Sequence, residues 1–335
     1  MTSSKRTIAP LAVVLALGFA VGYGWFHARL ARAQPKAKEY APSQVLPNQR
    51  LDRPLRAKFT RGKYLVLDAP AHRIVELDSN EHFVRQIGRF GTGPQEFNDP
   101  TDFALGRDGK IYVAEAGNKR LTILDANASR VGGFSTPQLS LAAAVNSKNE
   151  ILLNQPGRGF LVTAYGPDGA VKREFGVLRS PPAEFSVHPE HDPRETYNRV
   201  NLTVDASDKI YVAWRFEARV QKYGPAGEVI WDMELTGREA NDFKQKARNN
   251  SGYFKYNGAT IILSGIAHDP SSGLVYVLFP SRTLYVLDKQ GNKLGAFLDI
   301  RGNVWPFNSI TANENGMLLF TDTSQNVFSI LAPRP

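Results

Sequence analysis

The sequence predicts an all-β protein, a six-bladed β-propeller of four-stranded antiparallel blades, preceded by an N-terminal signal or anchor helix. Three observations predict it. Six short apolar runs recur along the chain, a second apolar run follows each of them, and turn residues punctuate both.

The first runs are KYLVLD (63–68), KIYVAE (110–115), EILLNQ (150–155), KIYVAW (209–214), LVYVLF (274–279) and MLLFTD (317–322), spaced by 47, 40, 59, 65 and 43 residues. They are rich in Val, Ile, Leu and Tyr, and turn residues such as Asp108-Gly109 and Asn315-Gly316 precede several of them, which marks strands. The partners HRIVELD, KRLTILD, GFLVTAY, ARVQKY, RTLYVLD and QNVFSIL make each pair a hairpin. A third run follows five of the six hairpins (SNEHFVRQIG, ANASRVGGF, GPDGAVKREFG, GPAGEVIWDM and KQGNKLGAF), and a short strand precedes each first run (LRAKF, TDFAL, SLAAAV, VNLTVD, SGIAHD and SITAN). Four strands in each of six units make a propeller. The sixth unit lacks an outer strand. An open ring leaves a strand edge unpaired, so an N-terminal strand is expected to close it, supplied by the segment around Val45 to Leu51.

Glycine-rich FGTGPQEFNDP (90–100) poses a choice between a phosphate loop and a connector. A phosphate loop runs into a helix whose N-terminus holds the anion, whereas here Pro94 and Pro100 intervene and strand DFAL follows. The pattern Gly88-x5-Pro94-x-Glu96-Phe97 returns as Gly176-x5-Pro182-x-Glu184-Phe185, so the stretch reads as an outer-to-inner connector.

Residues 88–125, GRFGTGPQEFNDPTDFALGRDGKIYVAEAGNKRLTILD, resemble the NHL repeat in their Gly-Pro-x-Glu-Phe connector, Asp-Gly turn, Tyr-Val strand and Asn-x-Arg hairpin. The likeness is close in that repeat and thinner in the third, fifth and sixth. It implies a propeller scaffold of a kind that serves as a protein- or RNA-binding platform and, in amidating-lyase and gluconolactonase-like relatives, as a metal-dependent catalyst.

With 335 residues the chain is long enough for a sizeable core, and 42% hydrophobic and 22% charged residues are globular values. It has no cysteine, which excludes disulfides, thiolate metal sites and cysteine nucleophiles. Of the net charge of +9, four units (Lys5, Arg6, Arg29 and Arg32) lie in the first 33 residues, so no dense basic stripe remains and nucleic acid is not expected as a partner. Lys5-Arg6 precedes an uncharged run, residues 7–26, and Ala31-Arg32-Ala33 fits a peptidase site. A cleaved signal and a retained membrane anchor both fit residues 1–33. Either way the domain is expected to be exported, to the periplasm, the cell surface or the medium. Residues 34–54 read as a proline-rich spacer and 55–335 as the propeller.

Inner strands line a propeller's channel, so Asp102, Asn201, His268 and Asn308 are its candidate polar groups. His188 and His191 in HPEHDP, together with His268, are weak candidates for metal ligation, and the first two fall in a proline-flanked loop without i, i+4 geometry. Asp68 and Glu115 stand five residues before Arg73 and Arg120, which reads as a structural ion pair repeated by blade, with Trp214 replacing the acid before Arg219. The two long spacings place insertions at 179–199 and 236–259, both in outer-to-inner connectors and hence on one rim. Long structured loops in a compact domain carry function, and their Arg199, Tyr197, Tyr253, Phe254 and Tyr256 suit a recognition face, although aromatics there also serve to pack the loops onto the blades. The expected function is a non-catalytic platform for a protein, peptide or glycan. No cofactor is expected for it; a divalent metal at the channel mouth belongs to the alternative of a lyase- or lactonase-like enzyme.

Overall fold

The computed structural model describes residues 37–40 and 51–335, apart from 81, 137, 139, 253, 281–282, 298–307, 323–326 and 332–335. The signal or anchor expected in residues 1–33 lies outside the described residues, among which no helix is long and apolar enough to cross a membrane.

Among the described residues there are six four-stranded antiparallel sheets. After strand β1 (Ala37–Tyr40), the first blade is β2 (Pro54–Thr60), β3 (Lys63–Asp68), β4 (Arg73–Leu77) and β5 (Phe83–Ile87). The second is β6 (Pro100–Leu105), β7 (Ile111–Glu115), β8 (Arg120–Leu124) and β9 (Arg130–Ser135), and the third β10 (Ala143–Val145), β11 (Ile151–Leu153), β12 (Val162–Tyr165) and β13 (Val171–Phe175). The fourth is β14 (Val200–Val204), β15 (Ile210–Trp214), β16 (Arg219–Tyr223) and β17 (Val229–Glu234). A two-stranded hairpin, β18 (Lys255–Tyr256) and β19 (Ala259–Thr260), precedes the fifth: β20 (Gly265–His268), β21 (Val275–Leu278), β22 (Leu284–Leu287) and β23 (Lys293–Phe297). The sixth has β24 (Ser309–Ala312), β25 (Leu318–Asp322) and β26 (Val327–Leu331).

The two middle strands of a blade are sandwiched between neighbouring blades, which explains their continuous apolar runs: every residue of β4, β7 and β15 is buried. Leu65, Leu67 and Ile74 of the first blade pack on Phe103 and Val113 of the second, and similar clusters fill the other gaps. In the first five blades the ladder between the third and fourth strands carries a register shift at the same place, beside the turn (Glu76/Leu77, Ile123/Leu124, Ala164/Tyr165, Lys222/Tyr223 and Val286/Leu287). Such bulges increase local twist, and their repetition gives successive outer strands the same splay.

The last blade takes its fourth strand from the other end of the chain, since β1 pairs with β26 from Ala37↔Leu331 to Tyr40↔Phe328. An N-terminal strand was expected in this role, but at Val45 to Leu51, and chain reach explains the correction. The outer edge of a four-stranded sheet lies about 14 Å from its inner strand, at about 4.8 Å per strand. A strand ending at Leu51 would leave two residues before β2 begins at Pro54, a reach of at most about 10 Å. Leu51 is instead fully buried beside Tyr64, Val66, Val75 and Leu319, wedged between the first and last blades.

The Gly88-x5-Pro94-x-Glu96-Phe97 motif folds as the connector expected of it. Gly88 has φ +84°, and a Cβ there would meet the Phe97 ring at 2.3 Å, so a bare backbone covers a buried phenyl. Gly176 repeats the device, with φ +79° against Leu161 and Tyr223. Arg120 then pins the loop: Nε donates to Glu115 Oε1 at 2.8 Å, Nη1 to the Thr92 carbonyl at 2.7 Å, and Nη2 to the Gly93 and Glu96 carbonyls at 3.1 and 2.7 Å. Asn118 adds bonds to the Gly91 carbonyl and the Glu115 carboxylate. The Asn-x-Arg hairpin of one blade thus holds the Gly-Pro-x-Glu-Phe connector leading into it.

Candidate functional site

The inner strands β2, β6, β14, β20 and β24 bring Arg56, Lys58, Asp102, Asn201, Thr203 and Ser309 around a cavity of about 50 Å³. Arg56 and Lys58 alternate with Ala57, so the period of two along β2 aims both cations at the axis and the alanine into the core between blades. Asp102 is buried at 5% exposure. Its Oδ1 accepts from the Phe103 amide at 2.8 Å and lies 3.4 Å from Arg56 Nε, and its Oδ2 accepts from the Ala143 amide at 3.0 Å. This carboxylate ties the second blade to the third as well as facing the channel. Lys58 has its ammonium 5.5 Å from the Phe103 ring; burial pulls its pKa below the ordinary value, Asp102 works against that and Arg56 with it.

Asn201 lines the cavity with an Nδ2 that finds no hydrogen-bond partner among the described residues. His268 does not join it. Its ring stacks on Tyr211 at 5.5 Å, with burial depressing its pKa, and it is not among the groups lining the cavity. Asn308 stands just ahead of β24 and donates its amide to the Thr321 carbonyl at 2.7 Å.

The two insertions meet on the rim at the N-terminal ends of the inner strands. The first contains a short helix, α1 (Pro193–Tyr197), which Asp192 caps by accepting from the Glu195 amide at 2.8 Å. The second contains α2 (Arg238–Arg248), whose buried Ala240 and Phe243 pack against Phe279 and Tyr285. At the tip of the β18–β19 hairpin, Asn257 and Gly258 both have positive φ, as an Asn-Gly hairpin turn requires. The His188 amide donates to the Asn257 carbonyl at 2.8 Å, and the Asn257 amide group reaches Thr196 Oγ1 at 3.4 Å. Phe185, Tyr197, Phe216, Phe254, Tyr256 and Ile261 form one apolar cluster across this junction.

Tyr197, expected on a recognition face, is buried in that cluster and donates its hydroxyl to Glu217 at 3.2 Å. Phe254 and Tyr256 are half-buried, and Tyr253 lies outside the described residues. His191 faces Glu190 at 3.6 Å. Among the described residues, no three His, Asp or Glu side chains gather where they could hold a metal ion. In the fourth blade Glu217 takes the part of the acid that Trp214 displaced, pairing with Arg219 at 2.7 Å and with Arg179 of the first insertion at 2.7 Å.

Arg199, singled out from the sequence, sits beside Arg215, which was not. The Arg215 amide extends the β14–β15 ladder by donating to the Arg199 carbonyl at 3.0 Å, and the Arg215 carbonyl receives the Ile262 amide at 2.7 Å. Both guanidiniums face the Tyr256 ring, at 4.4 Å for Arg199 and 5.3 Å for Arg215. Arg199 is 6% exposed, yet its Nε and Nη1, like the Nε of Arg215, have no hydrogen-bond partner among the described residues. Burial lowers the pKa of Arg199, against the pull of Tyr256 and Glu195. Burial, with the charges of Arg56 and Arg199, brings Arg215 down to about 10, Tyr256 pulling the other way. One signal was legible: a basic residue follows Trp214 at the place where the second blade has Ala116 after its acid.

A family model described as a 6-bladed beta-propeller matches residues 49–130. A segment of 67 residues is 34% identical to NHL repeat-containing protein 3 of Mus musculus, covering 19% of this chain and 19% of that protein. Among solved structures, a streptogramin B lyase superposes with a TM-score of 0.58 at 11% identity over 89% of this chain and 98% of that one. A virginiamycin B lyase from Staphylococcus aureus gives 0.56 at 11% identity over 90% and 89%. The structural likeness is one of fold. With the four-stranded blades and the stapled connectors, the sequence matches support an NHL-type β-propeller family for this chain.

Proposed function

We propose that the protein is an exported, non-catalytic propeller that binds a protein, peptide or glycan on the face bearing the two insertions. The junction of those insertions carries the reading: two enlarged connectors touch through His188, Asn257 and Thr196, and Tyr256 of the second faces both Arg199 of the first and Arg215 of the fourth blade. Aromatic and arginine side chains on a structured rim are the composition of recognition surfaces.

A second reading, an enzyme working in the channel, draws on the lyase names of the fold neighbours and on Asp102 and Asn201 in the cavity. Against a metal route stand the cations Arg56 and Lys58, which repel a divalent ion, and the His268 ring, which stacks on Tyr211 instead of lining the cavity.

Panels of peptides and glycans screened against the full chain test the platform. Ligands retained by wild type and by Arg107→Met on the opposite face, but lost when the 255–260 hairpin is replaced by a short Gly-Ser turn, are the expected result. Binding indifferent to the hairpin would overturn it.

A further inference from the structure

We propose that the channel cavity is the seat of an oxyanion group, carboxylate, phosphate or sulfate, on a ligand entering from the insertion-bearing face. The inference rests on the platform reading and adds the chemistry of what that platform binds.

Charge points to it. Arg56 and Lys58 line the cavity, Arg199 and Arg215 stand at the rim, and Arg56 acts electrostatically on Arg215, so the rim and the cavity form one positive field. Among the described residues the acids that answer them are few. Asp102 already spends its oxygens on two backbone amides and Arg56, and Glu195 acts on Arg199 from the first insertion. Four neighbouring cations in a partly desolvated mouth repel one another, and a cleft walled by one sign of charge concentrates ions of the other.

Hydrogen bonding points the same way. Asn201, 6% exposed, lines the cavity with an Nδ2 that has no partner among the described residues, and the buried nitrogens of Arg199 and Arg215 at the rim are donors too. A buried donor without an acceptor is costly, and an oxyanion offers acceptors that form charge-assisted bonds with such groups. Volume sets the scale. About 50 Å³ is the share of one or two waters at about 30 Å³ each, room for a compact oxyanion head but less than a sugar ring or an aromatic side chain. The ligand's body therefore remains on the rim, where turning the half-buried Tyr256 ring uncovers the guanidiniums it lies across.

The test is calorimetric and thermal titration of the full chain with inorganic sulfate, inorganic phosphate and acetate, against chloride at equal ionic strength. Saturable binding of at least one oxyanion, with unfolding raised above the chloride control, is expected. Lys58→Met and Arg215→Met should each weaken it by about tenfold or more, while Arg107→Met leaves it unchanged. Without anion both variants should unfold no lower than wild type, because each removes a charge that burial disfavours. If one of the two fails to fold, the other decides by the same criterion. Equal effects of chloride and the oxyanions, or binding kept within about twofold in the folded variants, would overturn the proposal. Hairpin-dependent retention of peptide or glycan alongside a negative anion titration would sink this inference and leave the platform standing. Anion binding without any hairpin-dependent ligand would do the reverse.

Discussion

The connector into the second blade and the connectors around the fourth use the same residue for opposite ends. Arg120 in the second blade makes four hydrogen bonds, to one carboxylate and three carbonyls, and holds residues 88–100 in place. Arg199 and Arg215 at the fourth blade are as deeply placed, yet keep nitrogens with no partner among the described residues and turn their faces to a single tyrosine. The first network is closed, so its arginine serves the fold. The second is open, and open buried donors are where a ligand has something to gain.

The comparison breaks most visibly at the closed end. Phe97, fully buried beneath Gly88, should cost about 3–5 kcal/mol on replacement by Ala, read as a lower urea midpoint with an unchanged slope. Next, Arg120→Met should lose about 3 kcal/mol, because the buried Glu115, 1% exposed, loses its ion-pair partner. A smaller loss would show that Thr122 and Asn118 suffice for that carboxylate. At the open end Arg199→Met should cost nothing, or add up to about 2 kcal/mol, in the same denaturation. An equal loss at both arginines would erase the distinction.

The smallest effect expected is one of pH. Burial works to raise the pKa of Glu76, but hydrogen bonds and charges from Lys63 and Arg85 outweigh it, and the carboxyl sits below its ordinary 4.5. A folded pKa below the unfolded one gives stability that is present above pH 4.5 and fades as pH falls through the lower folded value. Glu76→Gln should flatten the acid limb of a stability-against-pH curve in that window; an unaltered limb would remove Glu76 from the closed networks.

Most strands were legible because they are local statements: β-branched and aromatic runs bounded by Asp-Gly or Asn-Gly turns need no knowledge of the rest of the chain. The insertions were legible as irregular spacings. The closing strand was misplaced because its partner lies at the far end of the sequence and its position depends on distance across a blade. Arg199 could be named from its loop, but the absence of partners for its nitrogens depends on atoms from separate segments. Arg56 and Lys58 carried an unused signal, since two cations at a period of two on an inner strand must face the channel together. His268 looked equivalent to Asp102 and Asn201 by strand position, yet it lies near the other end of its strand, stacked on Tyr211 of the neighbouring blade.

The pairing of β1 with β26 also sets an order in time. Roughly 290 residues separate the two strands, and at about 5–20 residues per second a ribosome needs about 15–60 s to make the second after the first. The piece that completes the ring is made first and used last. Throughout that interval it is an unsatisfied β-segment, and Lys36, Lys38 and Glu39, clustered there, are the kind of residues that keep such a segment from pairing with the wrong chain. Among the described strands closure is the pairing of longest range, so slow folding and misassembly between copies should concentrate at this seam.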